Sequence, residues 1–227
     1  MCNVELKSQI KYLWVFIDEH LKWDAQLQHI NNKITKNIGI SFKLRYYVPM
    51  STLKQLRYTL MYPYLMYGIM SWGTVYQTKL NKTKISQNNC ICCIVFANKR
   101  ESPTPYFTLL KILKLENVFK LKIDTLAHKL QYRKTHTPPA LHDLAQPASA
   151  VHPYNTRYAS NLNLHRPFSR TYYGLARFSV VASQIWETIP MKIKCLQFNS
   201  FKKQYKLFLL ESQACWIPLM YYLALFI

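Results

Sequence analysis

Acidic residues are scarce in this sequence. Ten Asp and Glu stand against thirty Lys and Arg, a formal charge of +20, and the long interval between Asp24 and Glu101 contains no carboxylate at all. Salt-bridged surface chemistry does not explain such an interval, and the excess is far more than colloidal solubility requires. Polyanions are the natural partners. No adjacent Asp-Asp pair occurs anywhere, and the only neighbouring acids are Asp18 and Glu19. With only four glycines there is no Gly-rich phosphate cradle or P-loop, and no Ser-His-Asp arrangement presents itself. No catalytic residue is therefore expected.

Cysteine is also poorly placed for structure outside the cell. Of Cys2, Cys90, Cys92, Cys93, Cys195 and Cys215, three crowd into one short segment, a weak disulfide framework for a chain of this length. Met1 is followed by a polar mixed segment without an apolar h-region, so the reading expects an intracellular protein that is not secreted. Cys90-x-Cys92-Cys93 has neither a two-residue gap nor a second Cys/His pair at matching distance, which favours small apolar core residues over a metal site. His136, His142, His152 and His165 fall at irregular spacing and read as surface or capping histidines. Asp18 and Glu19 read as the end of a strand and Asp24 as a helix cap. Neither metal nor cofactor is expected for this chain.

Long apolar runs are missing except at the end, where Ala214 to Ile227 carry no charge. A bilayer span needs about twenty apolar residues, so this tail falls short, and a membrane partner is kept only as an alternative.

What is present is a chain half of whose residues are apolar, enough for a sizeable core in one domain or two small ones. Lysine is interleaved with seventeen Tyr and eleven Phe. That mixture suits phosphate neutralisation with stacking on bases or sugars, and it also suits an aromatic core under a basic skin. Residues 10–17 read as one strand buried on at least one face. From Ala25 to Tyr46, Leu27, Ile30, Ile34, Ile38 and Phe42 mark the stripe of an amphipathic helix. Further helices are predicted from Ser51 to Tyr64 with a break at Pro63, over 80–97, 104–113 and 116–132, then over 175–187 and 200–210. Between Thr135 and Arg170 five prolines sit among polar residues as a long irregular connection.

Lys11-Tyr12-Leu13-x-Val15-x-Ile17-Asp18, followed by Leu21-x-Trp23, resembles the segment after the palm in reverse transcriptases of non-LTR retrotransposons, the LINE elements of the jockey and CR1-like group. His29-Ile30, Tyr62-Pro63-Tyr64-Leu65, Tyr67-Gly68 and Ser71-Trp72-Gly73 follow in that family's order and spacing. Further on, His152-x-Tyr154-Asn155-Thr156-Arg157, Gly174, Trp186, Ile189-Pro190, Phe201-Lys202 and Leu207 to Leu210 resemble its C-terminal region. The resemblance covers roughly residues 8–211. The chain departs from it after Ser212 and at Trp14, where the family usually has glycine and a close backbone approach is expected.

The resemblance implies a mainly α fold: a helical, thumb-like bundle preceded by a short β strand. Residues 1–23 would be the remnant of a palm edge, 24–134 the thumb, 135–174 the Pro-rich connection, 175–211 a C-terminal helical region and 212–227 a divergent apolar tail. Polymerase chemistry in that family takes two adjacent carboxylates and a third nearby to hold two divalent metals, so Mg²⁺ is expected only in the intact polymerase. The expectation is a reverse-transcriptase (RNA-directed DNA polymerase) fragment without catalysis, whose partners are the RNA or DNA of a template-primer duplex and the missing palm. In an intact enzyme of that family the thumb lies against the template-primer duplex. Lys33, Lys36, Lys43 and Arg45 are then the first candidates for phosphate contact, Lys79, Lys82, Lys84, Lys99 and Arg100 the second, and Arg157, Arg166 and Arg170 the third. The alternatives are a basic interaction protein with a merely solvated surface, or a membrane-associated protein held by its tail.

Overall fold

A computed structural model describes residues 7–98, 101–151, 154 and 156–214, and divides the chain into two compact units, Met1–Leu110 and Lys111–Ile227. The fold is mainly α, with one short antiparallel pair of strands at its N-terminal end.

The first unit opens with a hairpin rather than a single strand. β1 (Gln9–Tyr12) pairs antiparallel with β2 (Val15–Asp18), Gln9 opposite Asp18 and Tyr12 opposite Val15. The chain reverses through Leu13 and Trp14, both left-handed at φ 44° and 65°. Two positive φ values in a two-residue connection define the turn whose twist suits a hairpin, and it normally takes Asn-Gly. Such a left-handed backbone favours glycine at position 14, where this chain has Trp. The indole at 14 is 69% exposed, with Lys11 Nζ 3.7 Å from its ring centroid.

The helix expected over residues 25–46 is α1 (Asp24–Leu44), which buries Leu27, Ile30, Ile34 and Ile38 along one side. Its start differs from the expectation. Asp24 is not the cap; Trp23 holds that position with φ 62°, and Asp18 organises the turn by accepting the N–H of Lys22 at 2.7 Å and of Trp23 at 2.8 Å. Asp24 sits in the first turn, where a negative charge favours the helix dipole, and pairs with Lys79 at 2.6 Å.

Next come α2 (Met50–Leu60), α3 (Tyr62–Met66), α4 (Ile69–Trp72), α5 (Gln77–Val95) and α6 (Thr104–Leu109), with α1 packed on α5, α2 and α3. The expected break near Pro63 falls at Met61, because proline is accommodated in the first turn of α3. Ser51 lies inside α2, whose cap position is Pro49.

The hairpin is held by the turn before α4. Gly68 has φ 63°, and a Cβ added there would lie 3.3 Å from Val15 Cγ2. The Tyr67 hydroxyl donates to the Leu13 carbonyl, buried Trp72 donates Nε1–H to the Tyr67 carbonyl at 2.9 Å, and Gln26 Oε1 of α1 accepts the Phe16 N–H at 3.0 Å.

In the second unit α7 (Leu115–Tyr132) is followed by 3-10 turns at Lys134–His136 and Pro139–Ala145. Then come α8 (Ala148–Val151), α9 (Arg157–Ser160), α10 (Tyr172–Leu175), α11 (Phe178–Glu187), α12 (Met191–Lys194) and α13 (Phe198–Ala214). α7 packs on α11, α13 and the Pro139–Ala145 turn, so the grouping of residues 24–134 crosses the division between units. The proline-rich connection folds back on itself: the Ala148 N–H meets the Asn163 carbonyl at 2.9 Å and the His165 N–H the Gln146 carbonyl at 2.8 Å.

The core of this unit is aromatic and carries buried polar groups. His128 stacks on Phe201 at 4.2 Å between centroids, and Phe201 stacks on Tyr205 at 5.5 Å. Asp124 is fully buried between α7 and α13; Tyr205 donates its hydroxyl to Oδ2, and Oδ1 has no partner. Burial drives the Asp124 carboxyl up to about 8, against the opposing pull of the Tyr205 hydrogen bond and the charges of Lys120 and Lys194.

Two outcomes follow from these placements. A non-glycine residue held left-handed costs on the order of 1–3 kcal/mol, and the exposed Lys11–Trp14 contact returns about 0.5–1 kcal/mol. Leu13→Asn combined with Trp14→Gly should therefore raise the melting temperature of the chain, and a lowered one would contradict the turn assignment. A carboxyl whose folded pKa is raised gives stability that is complete below its ordinary value of 3.8 and is lost as pH climbs through about 8. Asp124→Asn should flatten the fall in melting temperature between pH 5 and 9 and melt above the parent at pH 9; parallel profiles would contradict a buried carboxyl that must ionise.

Candidate nucleic-acid interface

α1 sorts its residues by turn geometry. At about 100° per residue, Lys33, Lys36 and Lys43 fall within about 80° of one another, on the side opposite the stripe from Leu27 to Ile38. All three are exposed, and none forms an ion pair or hydrogen bond among the described residues. The neighbouring imidazole of His29, chiefly by burial and then by the charges of Lys33 and Lys11, is held below its ordinary value.

Arg45 does not belong to this face. It lies beyond the helix end with its guanidinium 4.5 Å from the Phe96 ring centroid, 5.1 Å from that of Tyr46 and 5.6 Å from that of Phe42. An arginine packed among three rings is a structural cation first.

The α5 lysines are divided. Lys79 is paired with Asp24 and also donates to the Lys22 carbonyl at 3.2 Å, and Lys84 donates to Gln77 Oε1 at 2.6 Å. Lys82 is exposed on the helix. Lys99 and Arg100 lie outside the described residues, as do His152 and Asn155 of the C-terminal motif and the tail from Cys215 onward. Arg157, Arg166 and Arg170 are exposed in the second unit.

Sequence reasoning missed a second cationic surface, on α7 and α13, where Lys202, Lys203 and Lys206 are exposed. Burial, and then the charge of Lys202, lower the proton affinity of Lys122 on the facing helix. The signal was the run Lys202-Lys203-x-x-Lys206. Arg57 was missed as well. It is buried in α2 beside the rings of Tyr58 and Tyr62, at 5.3 and 5.8 Å, with Nη1 and Nη2 unpaired.

The carboxylates do not converge. Burial raises the Asp18 carboxyl, but the backbone N–H groups of Lys22 and Trp23, with the charge of Lys79, hold it below its ordinary value overall. Among the described residues no group of three His, Cys, Asp or Glu is placed to hold a metal ion. Cys90, Cys92 and Cys93 are buried in α5, and burial pushes the Cys90 thiol up to about 12 although Arg57 lies beside it. His142 caps the turn at Thr137, with Nε2 3.0 Å from Thr137 Oγ1. No described helix is long and apolar enough to cross a membrane.

These surfaces define a mainly helical protein with cationic helix faces. Compared with known proteins, the chain matches no family model, no curated protein and no solved structure.

Because Asp24 neutralises Lys79, Asp24→Asn should free one cation. Retention of a duplex by the full chain should rise, and the slope of log affinity against log salt should steepen by about 0.9, the contribution of one phosphate. An unchanged slope would remove Lys79 from the interface.

Proposed function

We propose that this chain binds the backbone of RNA or DNA without reading sequence and without catalysing polymerisation, as a thumb-derived piece of a non-LTR retrotransposon reverse transcriptase. The observation that carries the binding is the unpaired row of Lys33, Lys36 and Lys43 on one face of α1, in an interval without a single carboxylate. Contacts from such side chains to phosphate oxygens fix position and carry no base information.

The origin of the chain is supported by how separate motifs of the resemblance meet. The Lys11 to Asp18 segment forms the hairpin, and Tyr67-Gly68 and Trp72 hold it, Tyr67 by its hydroxyl and Gly68 by leaving space for Val15. The one position of that segment where the family has glycine takes a left-handed φ. Polymerisation would need the carboxylate pair that this sequence does not contain.

If five or six phosphates are neutralised, the affinity of the full chain for a random-sequence duplex should fall with salt at a slope of roughly −4.5 to −5.4. Reversing Lys33, Lys36 and Lys43 to Glu should remove about 2.7 from the magnitude of that slope, three phosphates' worth, uniformly across sequences. A slope near zero in a folded preparation would overturn the reading.

A further inference from the structure

The second unit contains a cavity of about 460 Å³ that the backbone-binding reading does not use. Its wall is drawn from α9, α11, α12 and the segment after α9, and includes Arg157, Tyr158, Asn163, Glu187, Met191 and Lys194. The volume lies within the roughly 300–1,000 Å³ typical of small-molecule sites.

Lys194 is the unusual member. Its side chain is 2% exposed, yet no carboxylate pairs with it among the described residues. Nζ donates to the Asn161 carbonyl at 3.2 Å and to Asn163 Oδ1 at 2.7 Å. Nζ also stands 5.9 Å from the Trp186 ring centroid. An ammonium has three donors, so one remains for a ligand, and a buried cation without a paired carboxylate favours an anion beside it. Burial lowers its proton affinity, with Glu187 and Asp124 acting the other way. A bound anion would act in the same direction as those carboxylates.

Arg157 stands exposed at the mouth, with a planar fork suited to two phosphate oxygens. Glu187, also exposed, is an acceptor only. It would repel a bare phosphate or sulfate, and a sulfate has no proton to give it. A sugar hydroxyl supplies the missing donor, as ribose hydroxyls do to acidic side chains elsewhere. The Tyr158 hydroxyl already donates to the Leu164 carbonyl at 3.0 Å, so Tyr158 offers the cavity its ring, and Met191 adds apolar surface for a base. We propose that this cavity binds a ribonucleoside monophosphate, with the phosphate on Lys194 and Arg157, the ribose hydroxyls on Glu187 and the base against Tyr158 and Met191.

The site is independent of duplex binding by α1. The test is calorimetric titration of the full chain with AMP, dAMP and inorganic phosphate, beside duplex retention by the same preparation. AMP should bind saturably, about tenfold more tightly than dAMP and more tightly still than inorganic phosphate, which Glu187 repels. Arg157→Ala should weaken AMP about tenfold, while Glu187→Ala should erase the preference for AMP over dAMP. Both side chains are exposed, so neither change threatens the core. Absence of saturable AMP binding, or binding that both substitutions leave unchanged, overturns the proposal. AMP binding in a preparation that does not retain duplex would uphold this site and defeat the backbone reading, and the converse would do the opposite.

Discussion

The constraint on which the structure depends is a surplus of cations that its acids cannot neutralise. Ten carboxylates could pair with at most ten of thirty Lys and Arg, leaving twenty. Several of the acids are engaged otherwise: Asp18 accepts backbone N–H groups, Asp124 is buried against Tyr205, and Glu101 accepts from the Tyr106 hydroxyl at 2.8 Å. The cations are therefore accommodated in other ways. Some lie over aromatic rings, as Lys11 does on Trp14, Arg45 on Phe96 and Arg133 on Phe198. Others stand on helix faces turned away from the buried stripes, where only solvent or a polyanion can meet them.

In the first unit the same economy of partners shapes the N-terminal hairpin. A two-stranded hairpin is marginal alone in water, and β1 is exposed along its whole length. It persists through a few specific attachments, from Tyr67, Gly68 and Gln26, and through the Asp18 turn that delivers the chain into α1. One carboxylate thus sets the start of the helix that carries the lysine face. The positioning of Lys33, Lys36 and Lys43 begins at Asp18.

Much of this was legible in the sequence where a periodic pattern was strong. The apolar stripes of α1 and α7 place those helices to within a residue or two, because burial of one face decides both period and length. The hairpin turn was not legible, since neither Leu13 nor Trp14 has the turn chemistry that such a connection prefers. Asp24 looked like a cap because it has the right side chain; Asp18, six residues earlier, does the work through a turn that sequence spacing does not announce. Arg45 read as a phosphate contact from its charge, but its ring partners Phe42, Tyr46 and Phe96 come together only in the fold. Of the candidate face, three lysines on one helix were readable by turn geometry. The cavity at Lys194 was not, because its wall comes from short helices separated by irregular chain.

The central claim is that free cations on one face of α1, and not the positive surface as a whole, meet the nucleic acid. Lysine acetylation footprinting of the full chain, with and without a duplex, tests it residue by residue. The account predicts that the duplex protects Lys33, Lys36 and Lys43 strongly, while Lys79, already held by Asp24, changes little. Protection spread evenly over all exposed lysines, or absent from α1, would contradict it.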